Sequence, residues 1–273
     1  MIVEVEVRTP QGTLLNLPLE DETSGFRILD IDGLYPVKAT LVSSKFALLD
    51  GELYRSSQRG PRNIKIKIEL DPDPLTDTVQ DLRDALYEFF MPESEVSLRF
   101  IRDDRPDVDT VGRVESFDSP LFTPEPEVDI SILCFDPDFS DTATTELTGN
   151  TVSSETETLV PYGGTSPVGF KFKLNVNRTL SDFSIYLKAP DNTTQSLDFS
   201  ASLVAGDVVD ISTVTGDKGA TLTRAGTESS ILYAISPQSD WINFSPGDNF
   251  FRVYAEGAAI PYELEFLPKY GGL

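Results

Sequence analysis

Residues 51–70 read GELYRSSQRGPRNIKIKIEL. The second half alternates strictly: Ile64, Ile66, Ile68 and Leu70 fall on one face, and Lys65, Lys67 and Glu69 on the other. A period of two is the signature of a strand with one face buried. The first half is polar, with Arg55, Arg59 and Arg62 set among Ser56, Ser57 and Gly60, and it reads as a loop feeding the strand. Arg55, Arg59, Arg62, Lys65 and Lys67 outnumber Glu52 and Glu69 in a chain whose net charge is −23. A basic segment in an acidic protein is read either as a surface for an acidic neighbour or as a solvated loop ahead of an ordinary strand.

Strands extend outward from this stretch in both directions. Residues 2–8 (IVEVEVR) alternate, and 14–19, 26–32, 37–42 and 46–49 are further short candidates, with an acidic loop at 20–22. Asp71-Pro72-Asp73-Pro74 stops the pattern, because proline continues neither a ladder nor a helix interior. Residues 76–90 then read as a helix, with Val79, Leu82, Leu86 and Phe89/Phe90 on one face and Asp77 and Gln80 at capping-box spacing. Strands resume at 96–101, 110–117 and 128–135. Residues 138–165 are rich in Ser, Thr and Glu and end in a Pro/Gly turn cluster, as a connector would. Beyond them the chain is almost purely β, at 170–176, 183–188, 195–199, 208–212, 220–224, 250–256 and 261–266. Turns recur regularly between these segments, which is the pattern of a sandwich or jelly roll. The expected organisation is a first domain over 1–137, a connector over 138–165 and a β-sandwich over 166–273, in a mainly β chain with one helix.

Composition removes whole classes of chemistry. Histidine is absent and Cys134 is the single cysteine. No Ser–His–Asp or Cys–His nucleophile system, Cys/His zinc site or internal disulfide can be assembled within the chain. Cys134, inside ISILCF, reads as a small core residue. The Asp clusters at 71/73 and 103/104/107/109 lack the glycine of the EF-hand pattern and read as solvated loops. With 45 acidic residues, carboxylate pairs carry no signal for glycoside hydrolysis. No phosphate-binding loop or nucleophile elbow occurs, and no cofactor is called for. The acidic balance opposes phosphate-directed nucleic-acid binding. No run reaches the roughly 18–20 apolar residues of a membrane span, and MIVEVEVRTP does not read as a signal peptide. Asn177-Arg178-Thr179 and Asn192-Thr193-Thr194 fit the glycosylation pattern, but without a secretory signal they read as unused. Trp241, the one tryptophan, has two readings. It is an exposed ring that stacks on a sugar or meets a partner, or it is an anchor beside Phe244, Phe250 and Phe251. The anchor is the preferred reading.

Three features in this order carry a resemblance. They are the basic segment and strand followed by one helix, the exit ILCFDPDF at Ile132–Phe139, and Trp241 leading to Pro246-Gly247 and Asn249. The layout resembles the distal tail protein (Dit) family of bacteriophages with long, non-contractile tails. The resemblance implies a tail-tube-like β-sandwich or barrel at the N-terminus and a galectin-like or carbohydrate-module-like sandwich at the C-terminus. It implies a structural, non-enzymatic homohexameric ring at the virion's tail tip, assembled in the host cytoplasm. Such a ring joins the tail tube to the tail-tip hub, carries receptor-binding protein and lets DNA pass. The expected partners are further copies of the chain, the tube, the hub and the receptor-binding protein, with neither specific nucleic-acid binding nor membrane insertion. On this reading Arg55, Arg59, Arg62 and Lys65 form the subunit contact. The alternative is a carbohydrate- or receptor-binding protein acting through the C-terminal sandwich.

Overall fold

The alternation at 64–70 becomes a strand paired on both sides in the first unit's sheet, with its isoleucines turned into the core. Ile64, Ile66, Ile68 and Leu70 are all 2% exposed or less in the computed structural model. It describes residues 1–273 except 20–23, 47–49, 74, 121–125 and 258. The acidic loop at 20–22 and most of the strand expected at 46–49 lie outside the described residues.

The chain forms two units, 1–142 with 270–273, and 143–269. The strands of the first are β1 (Ile2–Arg8), β2 (Leu14–Pro18), β3 (Phe26–Asp32), β4 (Ala39–Ser44), β5 (Leu53–Arg59), β6 (Arg62–Leu70), β7 (Glu95–Arg102), β8 (Val108–Asp118), β9 (Glu127–Cys134) and β10 (Phe139–Asp141), and its helix is α1 (Val79–Phe90). Antiparallel pairing gives the order β2-β1-β7-β8-β9-β6-β3, with β10 on β8. Leu82, Leu86, Phe89 and Phe90 of α1 share one core with the inward residues of β6 and β9. Cys134 is fully buried there, as expected, and burial pushes its thiol pKa up.

Three sequence expectations need correction in this unit. The helix starts at Val79, not 76, because the capping box is Thr78 with Asp81 and not Asp77 with Gln80. The Thr78 hydroxyl accepts from Asp81 N at 3.2 Å, and the Asp81 carboxylate accepts from Thr78 N at 2.9 Å. Residues 53–59, expected as a loop, form β5, which pairs with β4 in a separate two-stranded sheet. That strand buries no residue, so it leaves no hydrophobic alternation to read. The expected connector is largely strand: β10 belongs to the first unit, while β11 (Thr145–Asn150) and β12 (Thr158–Tyr162) belong to the second. β11 buries no residue, and Pro161 between the buried Val160 and Tyr162 of β12 makes that segment read as a turn.

The second unit continues with β13 (Lys171–Asn175), β14 (Leu180–Lys188), β15 (Thr194–Leu203), β16 (Val208–Ser212), β17 (Gly219–Arg224), β18 (Thr227–Ser230), β19 (Gly247–Tyr254) and β20 (Pro261–Phe266). Two antiparallel sheets, β11-β20-β13-β16-β17-β18 and β12-β19-β14-β15, bury their inner faces in one core. Aromatic rings fill it: Phe183 stacks on Phe199 at 4.7 Å between centroids, and Phe170 meets Phe251 edge-on at 5.9 Å. The chain does not end in this unit as expected. The strand β21 (Lys269–Tyr270) pairs with β10, and 270–273 rejoin the first unit.

Asp207 closes the β15–β16 turn. Its carboxylate accepts from Val204 N at 2.8 Å and from both Nε and a terminal nitrogen of Arg224, at 2.9 and 2.6 Å. The guanidinium holds its pKa below the ordinary aspartate value. A depressed folded-state pKa stabilises at every pH above the unfolded value and is lost as pH falls through the folded one. Asp207→Asn removes about 1 kcal/mol at neutral pH, because an amide replaces the buried carboxylate while the half-exposed guanidinium of Arg224 turns to water. It also flattens the acid limb of the second unit's stability curve below about pH 4. Thermal melts of both chains between pH 2 and 7 measure this, and parallel acid limbs would show that Asp207 contributes nothing there.

Candidate interaction surfaces

The hairpin of β4 and β5 projects as an arm. Every residue of β5 is exposed, and so is every residue of β4 except Ser44. Leu41, Val42, Leu53 and Tyr54 are about half exposed or more. A two-stranded sheet without a hydrophobic face to bury is marginal alone. Apolar side chains held outward on such a ribbon are suited to cover another surface.

Both ends of the arm are fastened. Gly33, at the end of β3, has φ +86, and a Cβ there would lie 1.9 Å from Asn63 O, so only glycine fits. Arg62, three residues past the end of β5 and the first residue of β6, is 1% exposed. Its guanidinium donates to Gly33 O at 2.5 Å, Tyr35 O at 2.8 Å, Pro137 O at 2.7 Å and Gly271 O at 2.6 Å. It also lies 4.1 Å from the centroid of the Phe139 ring. Desolvation lowers its pKa from the ordinary arginine value. Arg59 makes a two-pronged pair with the buried carboxylate of Asp138 at 2.5 and 2.8 Å, which raises its own pKa.

The four basic residues expected at a subunit contact therefore separate. Arg62 is internal, because carbonyls of three chain segments converge on it, and it is withdrawn from that role. Arg59 is engaged within its own chain. Arg55 stays on the arm, donating to Ser44 Oγ at 2.7 Å with its guanidinium 5.7 Å from the Phe46 ring. Lys65 is exposed on the outer sheet face. It stands there between Asp32 of β3 and Ser131 of β9, and Lys67 stands between Asp30 and Asp129. Lys67 pairs with Glu127 at 2.6 Å. A shallow depression on this face gathers Asp30, Asp32, Glu115, Asp118 and Asp129 around the two lysines. The apolar residues of the arm and the partner carboxylate Asp138 were not singled out from sequence. The excess of Leu and Tyr in a segment without periodicity was the one signal available.

The Asp residues read as loop carboxylates are used locally. Asp73 accepts from Leu75 N at 2.9 Å, Asp107 from Arg102 N at 3.0 Å, and Asp109 takes Arg99 in a two-pronged pair at 2.8 and 2.9 Å. In the second unit the outer face of the six-stranded sheet lines a groove of about 470 Å³. Cross-strand register sets Glu263, Lys173 and Asp210 in one row and Glu265, Lys171 and Ser212 in the next. Desolvation raises the pKa of Asp210.

Trp241 is half-buried outside the core, with Lys218 Nζ 5.5 Å from its ring. The preferred anchor reading is corrected, since Ile242 and Phe244 occupy the core instead. The turn that follows is as expected. Gly247 has φ +108, and the buried Asn249 amide stitches the turn to Ser245 and Gly247 carbonyls at 2.8 and 2.9 Å.

Comparison with known proteins agrees with this architecture. Residues 163–270 match the siphovirus-type tail component, C-terminal domain, of the SPP1 Dit family. The crystal structure of the Dit protein (gp 19.1) of phage SPP1 superposes with a TM-score of 0.67 at 16% identity, over 97% of this chain and 98% of that one. It is described as a paradigm of the hub adsorption apparatus in phages infecting Gram-positive hosts. A chain of the phage P2 baseplate in its activated conformation with Ca gives 0.47 at 10% identity over the full length of both. No curated protein matches in sequence.

Proposed function

We propose that the chain is a distal tail protein of the siphovirus Dit type, on the match of residues 163–270 to that family's C-terminal domain and the fold of the whole, and that six copies close into a ring at the phage tail tip. The ring joins the tail tube to the tip hub and leaves a channel for DNA. The arm is the observation that carries this reading. A closed ring needs a heterologous interface, one patch meeting a different patch on the next copy, and an exposed ribbon with fastened ends is such a patch. Arg55 with Leu41, Val42 and Tyr54 makes the contact.

Two further features support the reading. The sheet face around Lys65 carries more carboxylates than lysines, and a channel wall of that sign does not retain a phosphate backbone. The second unit, complete with its own core, is the platform for receptor-binding protein. No step of catalysis is assigned.

Light scattering of the pure protein is expected to give six times the 30.1 kDa chain mass, and particle imaging a six-fold ring. The second reading is host-carbohydrate contact through the groove on the six-stranded sheet, supported by its rows of carboxylate and ammonium groups. A stable monomer that binds a glycan array would favour that reading and remove the ring.

A further inference from the structure

The chain leaves the second unit at Lys269, and the next four residues all engage the first. Tyr270 donates its hydroxyl to Asp141 at 3.0 Å. Gly271 O accepts from Arg62 at 2.6 Å. Gly272 lies so close to Pro36 that a Cβ would sit 2.7 Å from Pro36 Cδ. Leu273 N donates to Leu34 O at 3.1 Å, and its side chain packs on the first core.

Leu34 and Pro36 belong to the short segment between β3 and β4, which is the root of the arm. Arg62 holds the intervening carbonyls of Gly33 and Tyr35. The root is therefore gripped from one side by Arg62 and from the other by residues 271–273. The two grips are themselves joined through Gly271. The other strand at the root, where Arg59 of β5 stands opposite Ala39 of β4, is gripped separately by Arg59 on Asp138. A lone two-stranded ribbon has no packed face to orient it, so its direction is set by how its ends are held.

We infer that Tyr270–Leu273 is a latch that sets the root of the β4–β5 arm, with Arg62 as the positioning residue that joins latch to root. Nothing in the sequence pattern relates positions 33–36 to positions 270–273. The relation is made by one buried guanidinium, one glycine contact and the hydrogen bond from Leu273 N to Leu34 O. The latch is a property of the single chain. Only its consequence for assembly rests on the ring reading.

The test is hydrogen exchange on the full chain carrying Gly272→Val, which drives a branched side chain into Pro36. Exchange in 33–44 is expected to rise at least about ten-fold while the core strand 64–70 keeps its protection. Unchanged exchange in 33–44 overturns the latch. If Gly272→Val loosens 64–70 as well, Leu273→Ala is read instead, and 33–44 must again exchange faster than 64–70 does. Sizing runs alongside. A wild-type chain that stays monomeric while 33–44 responds refutes the ring and keeps the latch. A wild-type ring whose arm ignores both substitutions refutes the latch and keeps the ring.

Discussion

Replacing Arg62 by leucine is expected to destabilise the first unit by about 3–5 kcal/mol, enough to unfold it at moderate temperature. The substitution conserves bulk and apolar packing on Phe139 but removes every donor facing Gly33, Tyr35, Pro137 and Gly271. Each buried carbonyl left without a partner costs about 1–3 kcal/mol, and the total is limited by how many can turn to water. Arg62→Lys recovers little, since one ammonium cannot span the fork that serves three segments. The measurement is denaturant unfolding followed by probes in each unit. The first unit's midpoint should fall while the second's holds. Equal midpoints for wild-type and Arg62→Leu chains would mean that the carbonyls find water at no cost. Reversing the charge of Arg55, Arg59 and Arg62 together is consequently a poor test of an interface, because the third change unfolds the scaffold that presents the first.

The complementary experiment places all its changes on the arm. Leu41→Asp, Tyr54→Asp and Arg55→Glu alter side chains that are exposed within the single chain. Surface changes of this kind ordinarily move stability by no more than about 0.5 kcal/mol apiece. The melting temperatures of both units are therefore expected to stay near wild type. Assembly is expected to be lost, with the scattering mass falling from six chains to one. Losing apolar contact and meeting like charge on an acidic neighbour act in the same direction, and in a closed ring the loss is repeated at every interface. If the triple variant still forms rings, the arm is a solvated ribbon and the subunit contact lies elsewhere.

The contrast between these variants shows how far the sequence could be read. The alternation at Ile64–Leu70, the single helix with Leu82 and Leu86 on its inner face, and the regular strands of the second unit were all legible. Each exposes one side and buries the other, which leaves a period in the sequence. The strand Leu53–Arg59 was not, because it buries nothing and is defined by its ladder to Ala39–Ser44 alone. The strand at 139–141 is too short to show a period, that at 145–150 buries nothing, and that at 158–162 carries a proline between its two buried residues, while the partners of the last two lie about a hundred residues on.

The sequence by itself determined a mainly β chain without histidine chemistry, its one helix, the core alternation of β6, and a resemblance that the comparisons support. Tertiary structure alone decided the fate of the three arginines. They look equivalent in RSSQRGPR, yet Arg55 stays on the surface, Arg59 takes Asp138, and Arg62 is buried under Gly271 from the far end of the chain. Local pattern records which face of an element meets water. It holds no record of which distant carbonyls converge on one side chain, and that convergence is what turns a basic residue from a contact into a fastening.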